Sequence, residues 1–253
     1  MRIFALETST ERLSLALIRD GTPFERDVQA GQQHSDLALP LIRALFDEAG
    51  MAIRDLDAIA FGQGPGSFTG VRIACGLAQG MAFGAGLGLL PVPTQMTIAE
   101  QCEAERVLVA LDARMGEIYL AAYVRDGLEA TGWRTQIAPM LARPSTLPAL
   151  EPGTWTLTGS ATAVPALRDA LAVAYGPQLA AVEAGRMPRA LPAAHIAGRT
   201  LNHSGPAALV NPRDAAPLYV RDHVALTTAE REARKPMRKD GARGAEPASK
   251  AAA

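Results

Sequence analysis

Residues 62–72 read Gly62-Gln63-Gly64-Pro65-Gly66-Ser67-Phe68-Thr69-Gly70-Val71-Arg72, and this glycine-rich stretch decides the fold. The apolar run before it, Leu56 to Phe61, predicts a buried strand, and residues 71–84 after it predict a helix. A glycine-rich turn between a strand and a helix lets backbone N–H groups converge at the helix N-terminus, where they can hold a phosphate. The same turn also lets another part of the chain approach closely, so two uses of the stretch are open.

The stretch lacks the spacing of the common nucleotide-binding loops. A Walker loop ends in Gly-Lys followed by Ser or Thr, but Gly70 is followed by Val71. The dinucleotide-binding pattern also fails, because Gly64-x-Gly66 leads to Thr69 where a third glycine belongs. A tight turn with close helix–strand packing is therefore an alternative to phosphate binding.

The composition indicates a globular, cytoplasmic protein. Of the 253 residues, 48% are hydrophobic and only 5% are aromatic, so the core must rest on aliphatic side chains. The formal net charge of -1 argues against a dominant basic surface for nucleic acid. Cys75 and Cys102 show no Cys-x-x-Cys spacing, which fits a reducing compartment. The longest apolar run, residues 73–92, is interrupted by glycines and a proline, so we expect no membrane contact.

The first part of the chain predicts an antiparallel meander followed by a helix. Strands are predicted at residues 3–7, 13–18 and 22–30, and Asp20-Gly21 is a strong hairpin turn. The helix is predicted to begin after Ser35 as its N-cap and to end at Gly50.

The later part of the chain predicts a second α/β unit and then a tail. Strands are predicted at residues 106–111 and 118–124, helices at 160–174 and 194–201, and a last ordered segment at 217–221. From Thr227 onward charged residues lack any apolar periodicity, which predicts a disordered basic tail. A weak contact with RNA or a partner is the alternative for its basic residues, which are Arg231, Arg234, Lys235, Arg238 and Lys239. The predicted domains are residues 1–105 and 106–226, with the tail at 227–253.

Small residues repeat every four positions along the predicted second helix, on two neighbouring stripes. One stripe contains Gly66, Gly70, Ala74, Ala78 and Ala82, and the other contains Gly76, Gly80 and Gly84. Each glycine inside a helix costs up to about 1 kcal/mol relative to alanine. Such a stripe lets another helix or strand approach almost to backbone contact. The close neighbour is either the domain's own sheet or a partner chain.

Side chains suited to catalysis are few. The four histidines are His34, His195, His203 and His223. Their spacing forms neither His-Glu-x-x-His nor His-x-x-x-His, and the sequence contains no Gly-x-Ser-x-Gly. The run Thr8-Ser9-Thr10 after the first strand contacts a phosphate or supplies turn hydroxyls.

Several motifs together resemble the bacterial TsaB (YeaZ) family over roughly residues 1–225. They are Leu6-Glu7-Thr8-Ser9-Thr10, His34-Ser35, residues 62–72, Asp112-Ala113-Arg114-Met115-Gly116-Glu117-Ile118-Tyr119 and Pro217-Leu218-Tyr219-Val220-Arg221. The resemblance implies an α/β fold of the actin-like, Hsp70-like ATPase (ASKHA) type with two α/β domains. Glu7 departs from the pattern, because many members have Asp at this position.

The resemblance also implies a function in making threonylcarbamoyladenosine in tRNA. Family members are non-catalytic dimerization subunits that support the transferase TsaD, together with the ATPase TsaE, next to the anticodon of tRNAs reading codons that start with A. The paralogue TsaD carries a metal-binding His-x-x-x-His, whereas the comparable stretch here, residues 93–98, contains no histidine. The resemblance thus implies no catalytic residue, no metal ligand and no required cofactor in this chain, with weak nucleotide binding left to the complex interface. A homodimer is implied when TsaD is absent.

Two sets of site residues follow from this resemblance and from the motifs. The candidates for a nucleotide or phosphate loop are Thr8, Ser9, Gly64, Gly66, Ser67, Gly70 and Arg72. The candidates for the partner interface are His34, Leu37, Leu41, Ile42, Gly70, Ala74, Gly76, Ala78, Gly80 and Gly84. The second set combines the first helix with the small residues of the second.

Two other functions compete with this one. An independent ATPase or kinase-like enzyme of the same fold would need carboxylates to hold magnesium, and Glu7 and Asp112 are the candidates. A peptidase, the activity with which the family was once grouped, would need a metal pair or a nucleophile and base that the sequence does not offer.

Overall fold

The computed structural model describes residues 1–221 of the chain. The predicted tail at 227–253 and the last residues of the second predicted domain lie outside the described residues. Residues 1–220 form one compact unit.

The first sheet begins with the predicted meander and continues with two parallel strands. Its strands are β1 (Arg2–Glu7), β2 (Arg12–Arg19), β3 (Thr22–Gln29), β4 (Ala58–Gly64) and β5 (Leu89–Pro93). Their order is β3-β2-β1-β4-β5, with β1 antiparallel to β2 and parallel to β4. Helix α1 (His34–Ala49) connects β3 to β4, and helix α2 (Phe68–Ala85) connects β4 to β5.

The second sheet repeats this topology. Its strands are β6 (Arg106–Asp112), β7 (Ile118–Arg125), β8 (Trp133–Ala142), β9 (Trp155–Gly159) and β10 (Leu179–Ala184). The order β10-β9-β6-β7-β8 again places an antiparallel meander beside two parallel strands. The remaining helices are α3 (Thr94–Ala99), α4 (Pro165–Tyr175) and α5 (Ala190–Ser204), with short 3-10 turns at Ile53–Asp55, Ser160–Ala163, Gly176–Gln178 and Gly205–Ala208. Two mixed α/β sheets of equal topology confirm the predicted actin-like fold.

One hydrophobic core connects the two sheets. It joins Ile3 and Ala60 of the first sheet to Val109 and Tyr123 of the second, and Ile196 of α5 completes it. The predicted boundary between residues 105 and 106 falls in the connection from α3 to β6. Since α5 follows that connection and packs on β1, β2 and β4, the later chain also covers the first sheet.

The predicted helices are confirmed, with three corrections to their ends. The helix predicted at 194–201 extends over Ala190–Ser204. Gly50 ends α1 in the left-handed conformation, with a φ of 61°. The prediction of Ser35 as N-cap is wrong, because the cap is Gln33 and Ser35 lies inside the first turn. The predicted helix 160–174 is divided into a 3-10 turn and α4, because Pro165 has no N–H and suits the first helical position. Among residues 1–221, no helix is both long and apolar enough to cross a bilayer.

Candidate functional site

The glycine-rich stretch connects the end of β4 to the start of α2. Gly64 ends the strand with a φ of 102°, which an L side chain rarely adopts, and the Gly64–Pro65 peptide bond is cis. The hydroxyl of Ser67 then caps α2 by accepting a hydrogen bond from the Gly70 backbone N–H at 3.3 Å. The predicted strand, turn and helix are therefore all present.

This loop packs directly against the turn between β1 and β2. The Ser67 N–H donates to the Ser9 carbonyl at 2.7 Å, and the Thr8 hydroxyl donates to the Gly70 carbonyl at 2.7 Å. A Cβ on Gly70 would overlap the Thr8 carbonyl oxygen, and one on Gly66 would lie 2.5 Å from the Ser9 carbonyl oxygen. The glycines thus let two backbones meet inside the fold.

The predicted phosphate-loop residues are brought together by this contact, but in a closed arrangement. Thr8 and Ser9 are 0% and 2% exposed, and their backbone carbonyls are used by the loop. Their role in binding a nucleotide stays a prediction.

The carboxylate of Glu7 is buried, at 1% exposure, and its hydrogen-bond donors are uncharged. It accepts hydrogen bonds from the Ser9 N–H at 2.7 Å and from the Thr94 hydroxyl at 3.1 Å. Gly62 packs against it so closely that any Cβ would overlap the carboxylate. Burial raises the pKa of Glu7, and hydrogen bonds from Ser9 and Thr94 oppose this rise. The side chain therefore serves as an internal hydrogen-bond acceptor.

The other candidate carboxylate, Asp112, organises the turn between β6 and β7. It accepts a hydrogen bond from the Arg114 N–H at 2.8 Å and forms an ion pair with the Arg114 guanidinium at 3.2 Å. Arg114 and Met115 both have positive φ angles, of 64° and 57°. Within residues 1–221, no three His, Cys, Asp or Glu side chains lie together as a metal site would require.

The two stripes of small residues on α2 face in different directions. Ala74, Ala78 and Ala82 are buried in the core of the first sheet. Gly76, Gly80 and Gly84 are exposed, and a Cβ added to any of them would meet no atom within 4 Å. The first stripe is thus occupied by the protein's own sheet, whereas the second faces open space.

A segment that we call the C-terminal strap, residues 210–219, runs beside α2. The Gln79 side chain donates to the carbonyls of Pro212 and Ala215 at 2.8 and 3.0 Å. The Leu218 N–H donates to the Gln63 carbonyl at 2.7 Å, which attaches the strap to the glycine-rich loop. The strap covers one side of α2 and leaves the glycine stripe uncovered.

Helix α1 lies next to α2, and its predicted interface residues divide between core and surface. His34 is 6% exposed, with Nε2 3.1 Å from the Arg12 carbonyl, and Ile42 is 4% exposed. Leu37 and Leu41 are partly buried against the first-sheet core. A large apolar side chain of α1 that faces solvent is Leu39, which is 59% exposed. It was not among the predicted interface residues, because the sequence does not fix which face of α1 meets the sheet.

Arg72, a predicted phosphate-loop residue, lies in an exposed cluster with two aromatic rings, and its role in binding a phosphate stays a prediction. Its guanidinium carbon is 3.4 Å from the centroid of the Phe68 ring and 5.3 Å from that of Tyr219. The Arg72 Nε–H also donates to the Tyr219 hydroxyl at 2.8 Å. Sequence reasoning missed this contact, because it joins positions 147 residues apart in the chain.

The chain is similar in sequence to proteins of tRNA threonylcarbamoyladenosine biosynthesis. The family model for TsaD, tRNA N6-adenosine threonylcarbamoyltransferase, matches residues 28–146. The tRNA threonylcarbamoyladenosine biosynthesis protein TsaB of Escherichia coli K12 is 46% identical over 130 residues, which are 50% of this chain and 56% of that protein. The TsaB of Haemophilus influenzae is 38% identical over 153 residues, 57% of this chain and 65% of that protein. The aligned part thus spans less than two thirds of each of these two relatives.

The fold is similar to a solved structure over nearly all of that structure's length. YeaZ from Pseudomonas aeruginosa superimposes with a TM-score of 0.72 and 31% sequence identity, covering 86% of this chain and 99% of that chain.

Proposed function

Because the chain belongs to the TsaB (YeaZ) family, we propose that it is a non-catalytic partner subunit in the synthesis of threonylcarbamoyladenosine in tRNA. It binds the transferase TsaD and supports it, with the ATPase TsaE, in modifying the adenosine next to the anticodon of tRNAs that read codons starting with A. It acts in the cytoplasm, meets tRNA through the complex and needs no cofactor of its own. Without TsaD, the same surface pairs two copies of the chain.

The observation that carries this proposal is the open glycine stripe of α2. Gly76, Gly80 and Gly84 face solvent with no atom within 4 Å of an added Cβ, so the chain's own packing gives no reason for glycine there. Each of them costs up to about 1 kcal/mol of helix propensity relative to alanine. A partner helix that approaches to backbone distance would explain all three. The exposed Leu39 of α1 and Phe83 of α2, 59% and 66% exposed, add apolar surface on the same two helices.

The closed contact between the loop and the β1–β2 turn supports a non-catalytic role. Thr8 and Ser9 are buried, and Glu7 is engaged by neutral hydrogen-bond donors beneath the loop. An acceptor that is already satisfied internally offers little to a magnesium ion or a nucleotide phosphate.

Binding to TsaD from the same organism tests the proposal, with the complex sized by light scattering. The variant Gly80→Leu fills the open stripe without a clash inside the fold, so it should remain folded and lose TsaD binding. Gly176→Leu is the matched control, because Gly176 also has no atom within 4 Å of an added Cβ but lies at the end of α4.

Activity of the reconstituted system tests the functional part. TsaD, TsaE, tRNA, ATP and threonylcarbamoyl adenylate are assayed with this chain and without it. Loss of modification on omission is expected. Full modification without the chain, or no association of the wild-type chain with TsaD, would reject the proposed role.

A further inference from the structure

The start of α2 carries a cation held rigidly at the surface. Arg72 lies flat over the Phe68 ring, with its guanidinium carbon 3.4 Å from the ring centroid. The Tyr219 ring lies to the side of the guanidinium, with its centroid 5.3 Å from the guanidinium carbon, and the two ring centroids are 6.2 Å apart. Phe68 and Tyr219 remain 47% and 48% exposed, so the cluster lies at the surface. Such stacking fixes a long side chain that would otherwise lose rotamer entropy on binding.

The hydrogen bonds of this guanidinium leave one edge available. Nε donates to the Tyr219 hydroxyl at 2.8 Å, which orients the plane of the group. Among the described residues, neither terminal nitrogen of Arg72 meets an acceptor, and no carboxylate forms an ion pair with it. Two parallel N–H donors on one edge match two oxygens of a carboxylate or of a phosphate.

We propose that Arg72 is a pre-organised anchor that binds a side-chain carboxylate on a helix of the partner subunit. This inference rests on the proposed function and names the chemistry of the partner. Arg72 stands in the same row of α2 as the open glycines, because positions 72, 76, 80 and 84 follow one another at four-residue intervals. A helix that lies along Gly76, Gly80 and Gly84 therefore passes Arg72 at one end.

A protein carboxylate fits the cluster better than an RNA does. The formal net charge of -1 gives the chain no dominant basic surface for RNA, whereas the row of open glycines beside Arg72 suits the close approach of a protein helix. An arginine that is held in place by aromatic neighbours is instead typical of the residues that dominate protein interfaces, where Arg and Tyr are enriched.

The same cluster ties the anchor to the C-terminal strap. Tyr219 belongs to the strap, and the neighbouring Leu218 N–H is bonded to the Gln63 carbonyl of the glycine-rich loop. The strap thus holds the tyrosine at a fixed position, and Tyr219 acts as a positioning residue for Arg72.

The test measures the affinity for TsaD by calorimetry for four variants of the full chain. Arg72→Ala should weaken binding at least about tenfold, and Arg72→Lys, which keeps the charge but loses the planar fork, should weaken it about as much. Tyr219→Phe keeps the ring and removes the hydroxyl, so a smaller loss of roughly twofold to fivefold is expected. Arg168→Ala is the control, because Arg168 is an exposed arginine of α4 that pairs with its neighbour Asp169. Circular dichroism and thermal unfolding verify that each variant is folded.

The outcomes separate this inference from the proposed function. If the wild type and Arg168→Ala bind TsaD and both Arg72 variants bind weakly, the anchor is supported. If Arg72→Ala binds like the wild type, the anchor is rejected while the partner role stands. If Arg72→Lys binds TsaD with the affinity of the wild type, a bidentate contact through the guanidinium is rejected. Unchanged TsaD binding with weaker binding of tRNA to the chain alone would reject the protein partner in favour of RNA, and failure of the wild type to bind TsaD would reject both proposals.

Discussion

Gly70 and Gly80 stand ten positions apart on α2, yet the chain needs glycine at them for different reasons. A Cβ at Gly70 would overlap the Thr8 carbonyl oxygen, and the Thr8 hydroxyl donates to the Gly70 carbonyl. Backbone atoms cannot move aside as the end of a flexible side chain can. At Gly80 an added Cβ meets nothing within 4 Å. Gly70 is therefore required by the fold, and Gly80 is not.

This contrast predicts opposite effects of the same substitution. Gly70→Ala should lower the free energy of unfolding by about 2–4 kcal/mol, because it forces the loop away from the β1–β2 turn. Gly80→Ala should leave it unchanged or raise it by up to about 1 kcal/mol, because alanine is the better helix former. Urea denaturation of both variants measures the difference. Equal destabilisation by the two substitutions would contradict this account of the stripes.

Glu7 predicts a specific dependence of stability on pH. Burial raises the pKa of the folded carboxyl above its ordinary value of 4.5, so the folded state binds its proton more tightly than the unfolded state. The contribution of Glu7 to stability is then greatest below that ordinary value and is lost as the pH rises through the raised folded pKa. Glu7→Gln removes this titration, so its free energy of unfolding relative to the wild type should move in the variant's favour over that interval.

Urea midpoints measured between pH 4 and pH 8 test this expectation, and Glu103→Gln, an exposed carboxyl, controls for the loss of a charge. A constant difference between Glu7→Gln and the wild type across this range would show that burial does not dominate at Glu7.

Among the secondary-structure elements, those with strong local signals could be predicted from the sequence. The meander, α1, β4, α2, β6 and β7 have clear apolar patterns or turn glycines. Strands β8 and β9 were also missed, and three further missed elements lack such signals for physical reasons. Strand β5 contains Pro91 and Pro93, α3 is a single buried helix of six residues, and β10 is exposed along most of its length. These elements form because neighbouring strands and the shared core hold them, which no local window of sequence reveals.

The features of the site that depend on neighbouring residues in the chain could be predicted from the sequence, but its contacts between distant residues could not. The glycine-rich loop and both stripes of α2 were recognised, but their facing was left open. Which stripe meets the sheet depends on the register of β1 and β4, which brings the Thr8 turn against Gly70. The contact of Arg72 with Tyr219 depends on the strap and so joins distant parts of the chain.

The hydrogen bonds between Gln79 and the C-terminal strap predict how firmly the strap is held. Gln79→Met keeps the length of the side chain and removes its donors to the Pro212 and Ala215 carbonyls. Amide exchange at Leu218, bonded to the Gln63 carbonyl, should then become roughly fivefold to thirtyfold faster, as expected for one or two lost hydrogen bonds. Exchange within β1 should stay the same. Unchanged exchange at Leu218 would mean that the strap is held by its apolar contacts instead.

On the scale of the whole molecule, the two sheets are connected by polar contacts as well as by the shared core. The Glu100 carboxylate follows α3 and accepts two hydrogen bonds from Arg199 of α5, at 2.7 and 2.8 Å. It also accepts one from the Trp133 indole N–H of β8 at 2.6 Å. Arg199 in turn donates to the Thr131 carbonyl at 2.9 and 3.0 Å. The carboxylate that follows α3 thus connects α5, which packs on the first sheet, to β8 of the second sheet.

We therefore expect the two sheets to unfold together, since neither keeps a complete core without α5 and the other sheet. Tryptophan fluorescence reports on the second sheet, because Trp133 and Trp155 lie in β8 and β9. Pulsed thiol labelling, read at the Cys75 peptide so that the second buried cysteine, Cys102, does not contribute, reports on the first sheet through α2. Both probes should give one urea midpoint.

Glu100→Ala, which leaves Arg199 and Trp133 without their acceptor, should lower that midpoint for both probes by an amount that corresponds to about 2–4 kcal/mol. Arg43→Ala, at an exposed pair on α1, should leave it unchanged. Two separate midpoints, or a shift confined to the tryptophan signal, would show instead that residues 1–105 and residues 106–226 unfold as independent domains.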